Sequence, residues 1–419
     1  MYKIKLVIKM KKLYKRELYL SKIRGFYNDP ETIKIITGIR RCGKSSLLET
    51  IVEELKNSGI KDKNIIEINL DKRPYKNIKT PEQLDKLIES YINDNDFKYI
   101  FIDEIQNVKD FEEIIEGYRS ENKYSIFITG SNSYLLSGEL ITKLTGRKIE
   151  IEMLPLNFYE YIDMKKFLDI KLKESIYDEF ELYIREGGFP GALKYNDEQD
   201  KKLYIQNILD DIFIKDIKTN QKIKNTETFK NIQKYIINNF GNMISVYSIR
   251  KYYKSININI DIRTIEKYIN LLCSAKILYQ CNTFDIKSKT SLSGEKKYYL
   301  ADLSIYFLYN TDNRINYGPV LENVLHNYLI SKGYNLSVGK IGKLEIDFIA
   351  RLQNDKYFYI QVSKNIENEK TEKREYKPFY EIKDMYPRYL FLLDLIIKDN
   401  VDGIKNVNIA KFIAENKDL

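Results

Sequence analysis

The sequence predicts an α/β protein with a helix-covered parallel sheet in its N-terminal half and a second α/β region at its C-terminus. Three observations support this fold class. Short β-branched runs alternate with helical segments between residues 33 and 153, the pattern of a parallel sheet covered on both faces. A Gly-rich turn joins the first of these strands to the first helix. From residue 226, three helical segments precede two strands, and strands and helices follow again from residue 320.

Apolar spacing and helix-boundary residues define the elements of the N-terminal half. Thr80, directly before Pro81, is a predicted N-cap. The predicted strands are Ile33–Thr37, Asn64–Leu70, Tyr99–Ile102, Tyr124–Thr129 and Lys148–Met153. The predicted helices are Ser45–Lys56, Pro81–Tyr91, Asp110–Arg119 and Tyr134–Leu144.

After Pro155 the pattern is mostly helical to Lys218, with a Gly-Gly-Phe-Pro-Gly breaker at Gly187–Gly191. Helices are then predicted at Thr226–Phe240, Val246–Lys254 and Asp261–Ala275, and strands at Ile277–Phe284 and Lys297–Asp302, which together are the pattern of a winged helix. The terminal region is predicted as helices Val320–Ser331 and Glu367–Asp384 with strands Tyr334–Val338, Leu344–Ala350, Tyr357–Val362 and Tyr389–Leu393. The expected domains are an extension (1–30), a sheet core (31–155), a helical segment (156–224), a winged helix (225–315) and a terminal domain (316–419).

Composition excludes several classes of protein. The 419 residues are 43% hydrophobic and 31% charged, as in soluble globular chains, and no stretch of 18 uncharged apolar residues is present. The three widely spaced cysteines, Cys42, Cys273 and Cys281, predict neither disulfides nor a zinc site and favour a cytoplasmic location. A single histidine, His326, disfavours most histidine-based catalysis. The apolar run before Met10 is too short for a signal peptide, and Met10 is an alternative start.

The octet Gly38–Ser45 (GIRRCGKS) matches the phosphate-binding pattern GxxxxGK[ST] between a predicted strand and a predicted helix. Its glycines, Gly38 and Gly43, let backbone N–H groups surround a phosphate, and the helix N-terminus adds its dipole. Lys44 is expected to reach the β- and γ-phosphates, and Ser45 to offer its hydroxyl to Mg²⁺. The neighbouring Arg41, Cys42 and Ser46 are further candidate nucleotide-binding residues. The alternative is an ordinary glycine turn.

Two acids, Asp103 and Glu104, end a predicted apolar strand, at the sheet edge where ligands bind. Asp103 is expected to hold Mg²⁺, and Glu104 to polarise the attacking water. A later strand ends at Ser131 and Asn132, both candidates for sensing the γ-phosphate, with a plain turn as the alternative.

Arginines supply further candidates near the phosphates. Arg147 is a candidate arginine finger, acting in cis or from a neighbouring subunit, or else a surface ion-pair residue. Arg40 and Arg41, inside the loop, either contact phosphate or fold outward.

The chain resembles the predicted archaeal and bacterial ATPases of the AAA+ superfamily. The resemblance rests on Ile36–Leu48, Ile100–Val108, Ile128–Leu140, Leu144–Tyr161, Gly187–Gly191 and Gly342–Phe348, and covers nearly the whole chain. It implies ATP binding by Gly43, Lys44 and Ser45, with Asp103 and Glu104 in the acidic motif. It also implies an AAA-type core, a winged helix and a terminal domain with a restriction-endonuclease-like fold.

The basic charge is concentrated in the predicted winged helix. Residues 225–300 hold 12 Lys or Arg and 5 Asp or Glu, which accounts for +7 of the chain's net charge of +9. Duplex DNA is therefore an expected partner, and a protein contact is the alternative for this module. The expected DNA contacts are Arg250, Lys251, Arg263, Thr264, Lys267, Lys287 and Lys289.

In the terminal domain, Glu322, Asp347 and Gln361 fall where an endonuclease-like fold places its acids. Metal-assisted hydrolysis needs two or three carboxylates and a lysine. Gln361 replaces one acid, Ser363 stands at the lysine position, and Lys364 is expected to face the other way. The sequence therefore predicts a degenerate nuclease site.

The leading hypothesis is an Mg²⁺-dependent ATPase that couples its nucleotide state to binding of DNA or of a protein partner, including further copies of the chain. The first alternative is an ATP-switched regulator with negligible hydrolysis, and the second is an ATP-driven nuclease. No membrane partner is expected.

Overall fold

A computed structural model describes residues 12–130, 146–218, 223, 225–310, 315–352, 356–394 and 398–419. These residues divide into two compact units. The first unit contains the described residues within 12–36, 43–130 and 146–151. The second unit contains residues 37–42 and the described residues within 152–419.

The N-terminal strands are β1 (Ile33–Gly38), β2 (Ile65–Asn69), β3 (Lys98–Asp103), β4 (Tyr124–Thr129) and β5 (Lys148–Met153). The helices of the first unit are α1 (Glu17–Ile23), α2 (Lys44–Asn57), α3 (Pro81–Glu89) and α4 (Glu112–Ser120). Thr80 caps α3 as predicted, in a capping box with Gln83. The predicted helix at Tyr134–Leu144 lies outside the described residues.

The described residues form a five-stranded sheet in the order β2-β3-β4-β1-β5. β4 is inserted between β1 and β3 and runs parallel to both, and β2 is parallel to β3. This confirms the predicted parallel sheet. β1, β3 and β4 are buried along their whole length, as expected for strands covered on both faces. Parallel strands end at the same edge, so Asn69, Asp103 and Thr129 end three adjacent strands side by side.

The second unit begins with α5 (Phe158–Phe167), α6 (Ile176–Glu186) and α7 (Glu198–Asp211), and α7 continues into a π-helix at Ile212–Lys218. Then follow α8 (Thr226–Asn238), β6 (Met243–Ile244), α9 (Val246–Ser255), α10 (Ile262–Ser274) and the hairpin β7 (Leu278–Asp285) and β8 (Thr290–Leu300). The predicted order of three helices and a hairpin is therefore present. β6, which pairs with β8, was not predicted.

The C-terminal elements are α11 (Ser304–Tyr309), α12 (Tyr317–Lys332), β9 (Asn335–Ile341), β10 (Leu344–Leu352), β11 (Lys356–Ser363), α13 (Glu369–Tyr380), β12 (Arg388–Leu392), β13 (Asn400–Val401), β14 (Ile404–Asn408) and α14 (Ile409–Ala414). The described strands of this unit form one sheet in the order β13-β14-β12-β11-β10-β9-β7-β8-β6. β7 and β9 pair in parallel, from Thr283 opposite Val338 to Asp285 opposite Lys340. The hairpin and the terminal strands thus share one hydrogen-bonded sheet.

The Gly187–Gly191 breaker is a close backbone crossing. A Cβ atom on Gly188 would lie 2.0 Å from the Leu156 carbonyl oxygen, so only glycine fits. The Gly188 carbonyl accepts a hydrogen bond from the Leu156 N–H (2.7 Å), and the Gly188 N–H donates to Asp302 Oδ2 (2.6 Å). Burial raises the pKa of Asp302 to about 6, against the opposing effect of hydrogen bonds from Ser304 and Gly188. The breaker is therefore held by a buried carboxylate at the end of the hairpin.

None of the described helices is both long and apolar enough to cross a membrane.

Candidate nucleotide site

The Gly-rich octet connects β1 to α2, as the sequence predicts. α2 begins at Lys44, with Gly43 as its N-cap in the left-handed region (φ 113°). The first N–H groups of α2 therefore point out of the helix end, and a helix N-terminus favours an anion such as phosphate. Lys44 is buried, Ser45 and Ser46 are exposed, and Cys42 is buried.

Gly38 is required by a close approach within the second unit. Its φ is +140°, and a Cβ atom there would lie 2.2 Å from the Met153 carbonyl oxygen. Any other residue would push the start of the loop away from the backbone at Met153. Farther along the loop, the Cys42 N–H donates to the Ile39 carbonyl (3.2 Å), and Arg41 is exposed with φ 69°.

Three polar side chains surround the buried carboxylate of Asp103 at the end of β3. The Thr129 hydroxyl donates to Oδ1, the Asn69 amide donates to Oδ2 (2.6 Å), and the Ser45 hydroxyl is a further hydrogen-bond partner. Burial raises the pKa of Asp103, and the hydrogen bonds from Thr129 and Ser45 oppose that shift. The helix start that carries Lys44 and Ser45 therefore lies beside the acidic strand end.

Glu104 is held by a backbone conformation that is rare for its residue type. Its φ and ψ are 59° and 49°, in the left-handed region, which costs a non-glycine residue about 1 kcal/mol or more. The Glu104 N–H donates to the Thr129 hydroxyl oxygen (3.0 Å), and the Gln106 amide donates to the Glu104 carboxylate. Thr129 therefore orients both acids. Its hydroxyl accepts a hydrogen bond from the backbone N–H of Glu104 and donates one to the side chain of Asp103.

The remaining candidates of the first unit lie elsewhere or outside the described part. Ser131 and Asn132 fall in the segment 131–145, which is outside the described residues. Arg147 is half exposed and forms an ion pair with Glu116 on α4, 2.7 Å between Nη1 and Oε1. The sequence allowed two roles for Arg147, an arginine finger or a surface ion pair, and in this structure the residue forms a surface ion pair.

Arg40 forms a buried ion pair with Asp216 within the second unit. Its Nη2 lies 3.4 Å from Asp216 Oδ1 and its Nε lies 3.4 Å from Oδ2, and both side chains are at least 90% buried. Asp216 belongs to the π-helix at Ile212–Lys218. A two-point contact of this kind fixes the guanidinium plane, so this part of the loop is tied to the π-helix.

The expected DNA contacts lie on α9, α10 and the tip of the hairpin. All of them are exposed except Thr264, which is partly exposed: Arg250, Lys251, Arg263, Lys267, Lys287 and Lys289. On the same helices Tyr253 and Tyr268 are buried, whereas Tyr252 is 46% exposed.

The structure brings the predicted residues of the degenerate nuclease site together. Asp347 accepts a hydrogen bond from the Val362 N–H (2.9 Å), and its own N–H donates to Gln361 Oε1 (2.7 Å). Gln361 Nε2 donates to Glu375 (3.2 Å). Ser363 donates to the Asn365 carbonyl (3.1 Å) and is no substitute for a lysine.

A lysine from outside the predicted motif lies in this cluster. Lys297 of β8 reaches it, with Nζ 2.8 Å from Glu322 Oε2 and 3.4 Å from Asp347 Oδ1. From the sequence, a lysine was expected only on the strand that carries Gln361, whereas the pairing of β7 with β9 brings a distant strand alongside. Lys364 lies over the Tyr317 ring, 3.9 Å from its centroid.

Sequence reasoning missed Asn69 and Thr129 at the nucleotide site. Thr129 ends its predicted strand, Asn69 is the last residue but one of its own, and a polar residue near the end of a parallel strand was the available signal. The inserted position of β4 next to β3 makes Thr129 a neighbour of Asp103.

Two family models match this chain. A model described as an AAA domain matches residues 30–162, and a model described as a domain of unknown function (DUF8612) matches residues 177–313.

Relatives match over most of the chain. An uncharacterized protein of Haemophilus influenzae is 33% identical over 407 residues, covering 97% of this chain and 100% of that protein. An uncharacterized protein of Methanocaldococcus jannaschii is 33% identical over 367 residues, covering 85% of this chain and 80% of that protein. Among solved structures, a Walker-type ATPase of Pyrococcus abyssi is 15% identical, with a TM-score of 0.49 over 71% of this chain and 95% of that one.

Proposed function

This chain belongs to the family of these two relatives and carries an AAA domain followed by a domain of unknown function, and from that premise we propose that it binds and hydrolyses ATP with Mg²⁺. One observation carries the proposal: the buried carboxylate of Asp103 is hydrogen-bonded to Ser45, the residue after the loop lysine. A motif that merely resembled a phosphate loop would not be expected to pair its serine with the acid that ends β3.

The residues present fit a magnesium–nucleotide complex. Ser45 and Asp103 offer hydroxyl and carboxylate oxygens, the hard ligands that Mg²⁺ prefers, and Lys44 adds a positive charge beside them. In this proposal Ser45 and Asp103 hold the ion, Lys44 contacts the β- and γ-phosphates, and the N–H groups from Gly38 to Ser46, including those of Arg41, Cys42 and Gly43, surround the phosphates. Bound Mg²⁺ supplies neutralisation of phosphate charge.

Glu104 is the proposed general base. Its backbone strain and its hydrogen bond to Thr129 fix where the carboxylate leaves the strand, which supports a role in orienting a water molecule.

Asn132 is retained as the proposed γ-phosphate sensor. Arg147 is retained as a proposed finger that would exchange Glu116 for phosphate, in cis or from another copy of the chain.

A second proposal concerns coupling to DNA. α8 to α10 with β6 to β8 have the element order of a winged helix, and the exposed basic side chains on α9, α10 and the hairpin tip would contact duplex phosphates. In this proposal nucleotide binding changes the affinity of that surface for DNA. A protein partner at the same surface, with negligible ATP turnover, is the competing hypothesis.

One experiment separates these hypotheses. Phosphate release from ATP with Mg²⁺ is measured with and without duplex DNA, for the wild type and for Glu104→Gln. Turnover that is lost in Glu104→Gln while ATP binding persists would support hydrolysis with Glu104 as base, and stimulation by DNA would support the coupling. Equal turnover in both proteins would disprove the role of Glu104, and ATP binding without turnover would favour the switch.

A further inference from the structure

Lys297 is a lysine buried among carboxylates in the second unit. The residue is 3% exposed, and it lies on β8 at the inward position opposite Cys281 of β7. Its Nζ contacts three acids, Glu322 (2.8 Å), Glu345 (2.8 Å) and Asp347 (3.4 Å). One ammonium group thus connects a hairpin strand to α12 and to β10.

The acids of this cluster are otherwise well held. The Tyr299 hydroxyl, two residues along β8, donates to Glu322 Oε2 (2.9 Å), the same oxygen that Lys297 contacts. The Val362 N–H donates to Asp347. Glu345 is one-third exposed, so the cluster is open to solvent at this acid. The three carboxylates are therefore held in place by the regular elements that carry them, α12 and β10.

Electrostatics favour a charged lysine at this position. Burial alone would lower the pKa of Lys297, but Glu322, Asp347 and Glu345 raise it above its ordinary value. A buried ammonium ion is stable only where acids and hydrogen bonds replace its hydration, and here three carboxylates do so. A divalent cation in the cluster would compete with this ammonium for the same oxygens and would be repelled by its charge.

We propose that the ammonium group of Lys297 takes the place of a divalent cation in the terminal domain and fastens β8 to α12 and β10. In this proposal the ion pairs of Lys297 hold the cluster together without a metal ion. The domain is then not a metal-dependent hydrolase. The proposal does not depend on the proposed ATPase activity.

The test measures Mn²⁺ binding by nucleotide-free full-length protein, using titration calorimetry and the electron paramagnetic resonance signal of free Mn²⁺. K297M removes the charge and keeps the length of the side chain. We expect K297M to bind one Mn²⁺ more per chain than the wild type, at least tenfold more tightly than any wild-type site in this domain, and the double variant K297M/D347N to lose that ion. A folded K297M that binds no more Mn²⁺ than the wild type would overturn the proposal.

A second comparison does not require K297M to fold. D347N in the wild-type background should leave the number of bound Mn²⁺ ions unchanged, because Lys297 already occupies the cluster. Loss of one ion in D347N would show that the wild type binds a metal beside Lys297 and would overturn the proposal. Failure of K297M to fold without Mn²⁺, with recovery when Mn²⁺ is added, would support it, since the ion would then replace the missing ammonium.

Discussion

The hydroxyl of Thr129, at the end of β4, donates a hydrogen bond to the carboxylate of Asp103, at the end of β3, and accepts one from the N–H of Glu104. One side chain therefore controls the orientation of both acids of the proposed ATPase site. Since Thr129 lies in the part of the sheet created by strand insertion, the order of the strands determines the geometry of the acids.

Removing that hydroxyl should slow hydrolysis. Thr129→Val keeps the shape and leaves the Glu104 N–H without its partner, at a cost of about 1–3 kcal/mol, or roughly fivefold to more than a hundredfold in kcat if the loss falls on the transition state. Steady-state phosphate release measures it, and Thr129→Ser, which retains a hydroxyl, is the matched control. Equal losses in both variants would contradict the hydrogen-bond argument.

Replacement of Lys44 should abolish most nucleotide binding. Lys44→Ala removes a charged contact to phosphate, for which we expect a weakening of about 1.5–3 kcal/mol, or roughly tenfold to more than a hundredfold in Kd. Calorimetric titration with ATP and Mg²⁺ measures it. Lys56→Ala, at the exposed far end of α2, should bind as the wild type does. If Lys44→Ala binds normally, the phosphate-loop role is wrong.

The Arg40–Asp216 pair should contribute to stability as a unit. Asp216→Ala leaves a buried guanidinium without its carboxylate, and breaking such a pair typically costs about 3–5 kcal/mol. Arg40→Met/Asp216→Leu removes both charges and should recover most of that loss. Urea unfolding of Arg40→Met, Asp216→Leu and the double variant gives the coupling energy, and additive losses would show that the pair is not coupled.

Asp302 should make the second unit more stable at moderately acidic pH. Its pKa of about 6 in the folded chain exceeds the usual value of 3.8, so the folded state binds the proton more tightly and the free energy of unfolding rises as the pH falls from 7 to 5. The expected rise is about 1 kcal/mol. It is measured as the difference in urea midpoints between the wild type and Asp302→Asn, which cancels other titrating groups. An identical pH profile in the two proteins would disprove the assignment.

The basic surface should bind DNA through phosphates if the coupling proposal holds. Replacing Arg250, Lys251 and Lys254 with Gln should lower the slope of log affinity against log salt by about 0.9 for each phosphate that is no longer neutralised. Fluorescence anisotropy with labelled duplex DNA at several salt concentrations measures it. The control replaces three exposed lysines of the first unit, Lys61, Lys72 and Lys76. Equal effects of the two triple substitutions would indicate nonspecific attraction.

The sequence predicted most elements because they bury apolar faces locally. The predicted β4 and β5 match the observed strands at both ends, and α2 differs by one residue at each end. The pairing of the loop serine with Asp103 follows from the parallel sheet, which the alternation of strands and helices indicated.

Features that depend on long-range pairing were not predictable in the same way. Lys297 begins a predicted strand, but nothing in its neighbourhood in the sequence identified Glu322 or Asp347 as its partners. The joining of β7 to β9 decided that contact. The short elements α1, β6, β13 and β14 have too few residues to show a clear periodicity.

The parallel pairing of β7 with β9 has an evolutionary consequence. Suppose that recombination exchanged the hairpin of β7 and β8 but kept the segment that follows it. The exchange would replace one strand of the β7–β9 pair and, at the same time, the lysine of the Lys297 ion cluster. The new partner would have to match the old one in register and in charge for the sheet to close. These two segments are therefore expected to be inherited together, and to diversify by paired substitutions and not by module shuffling.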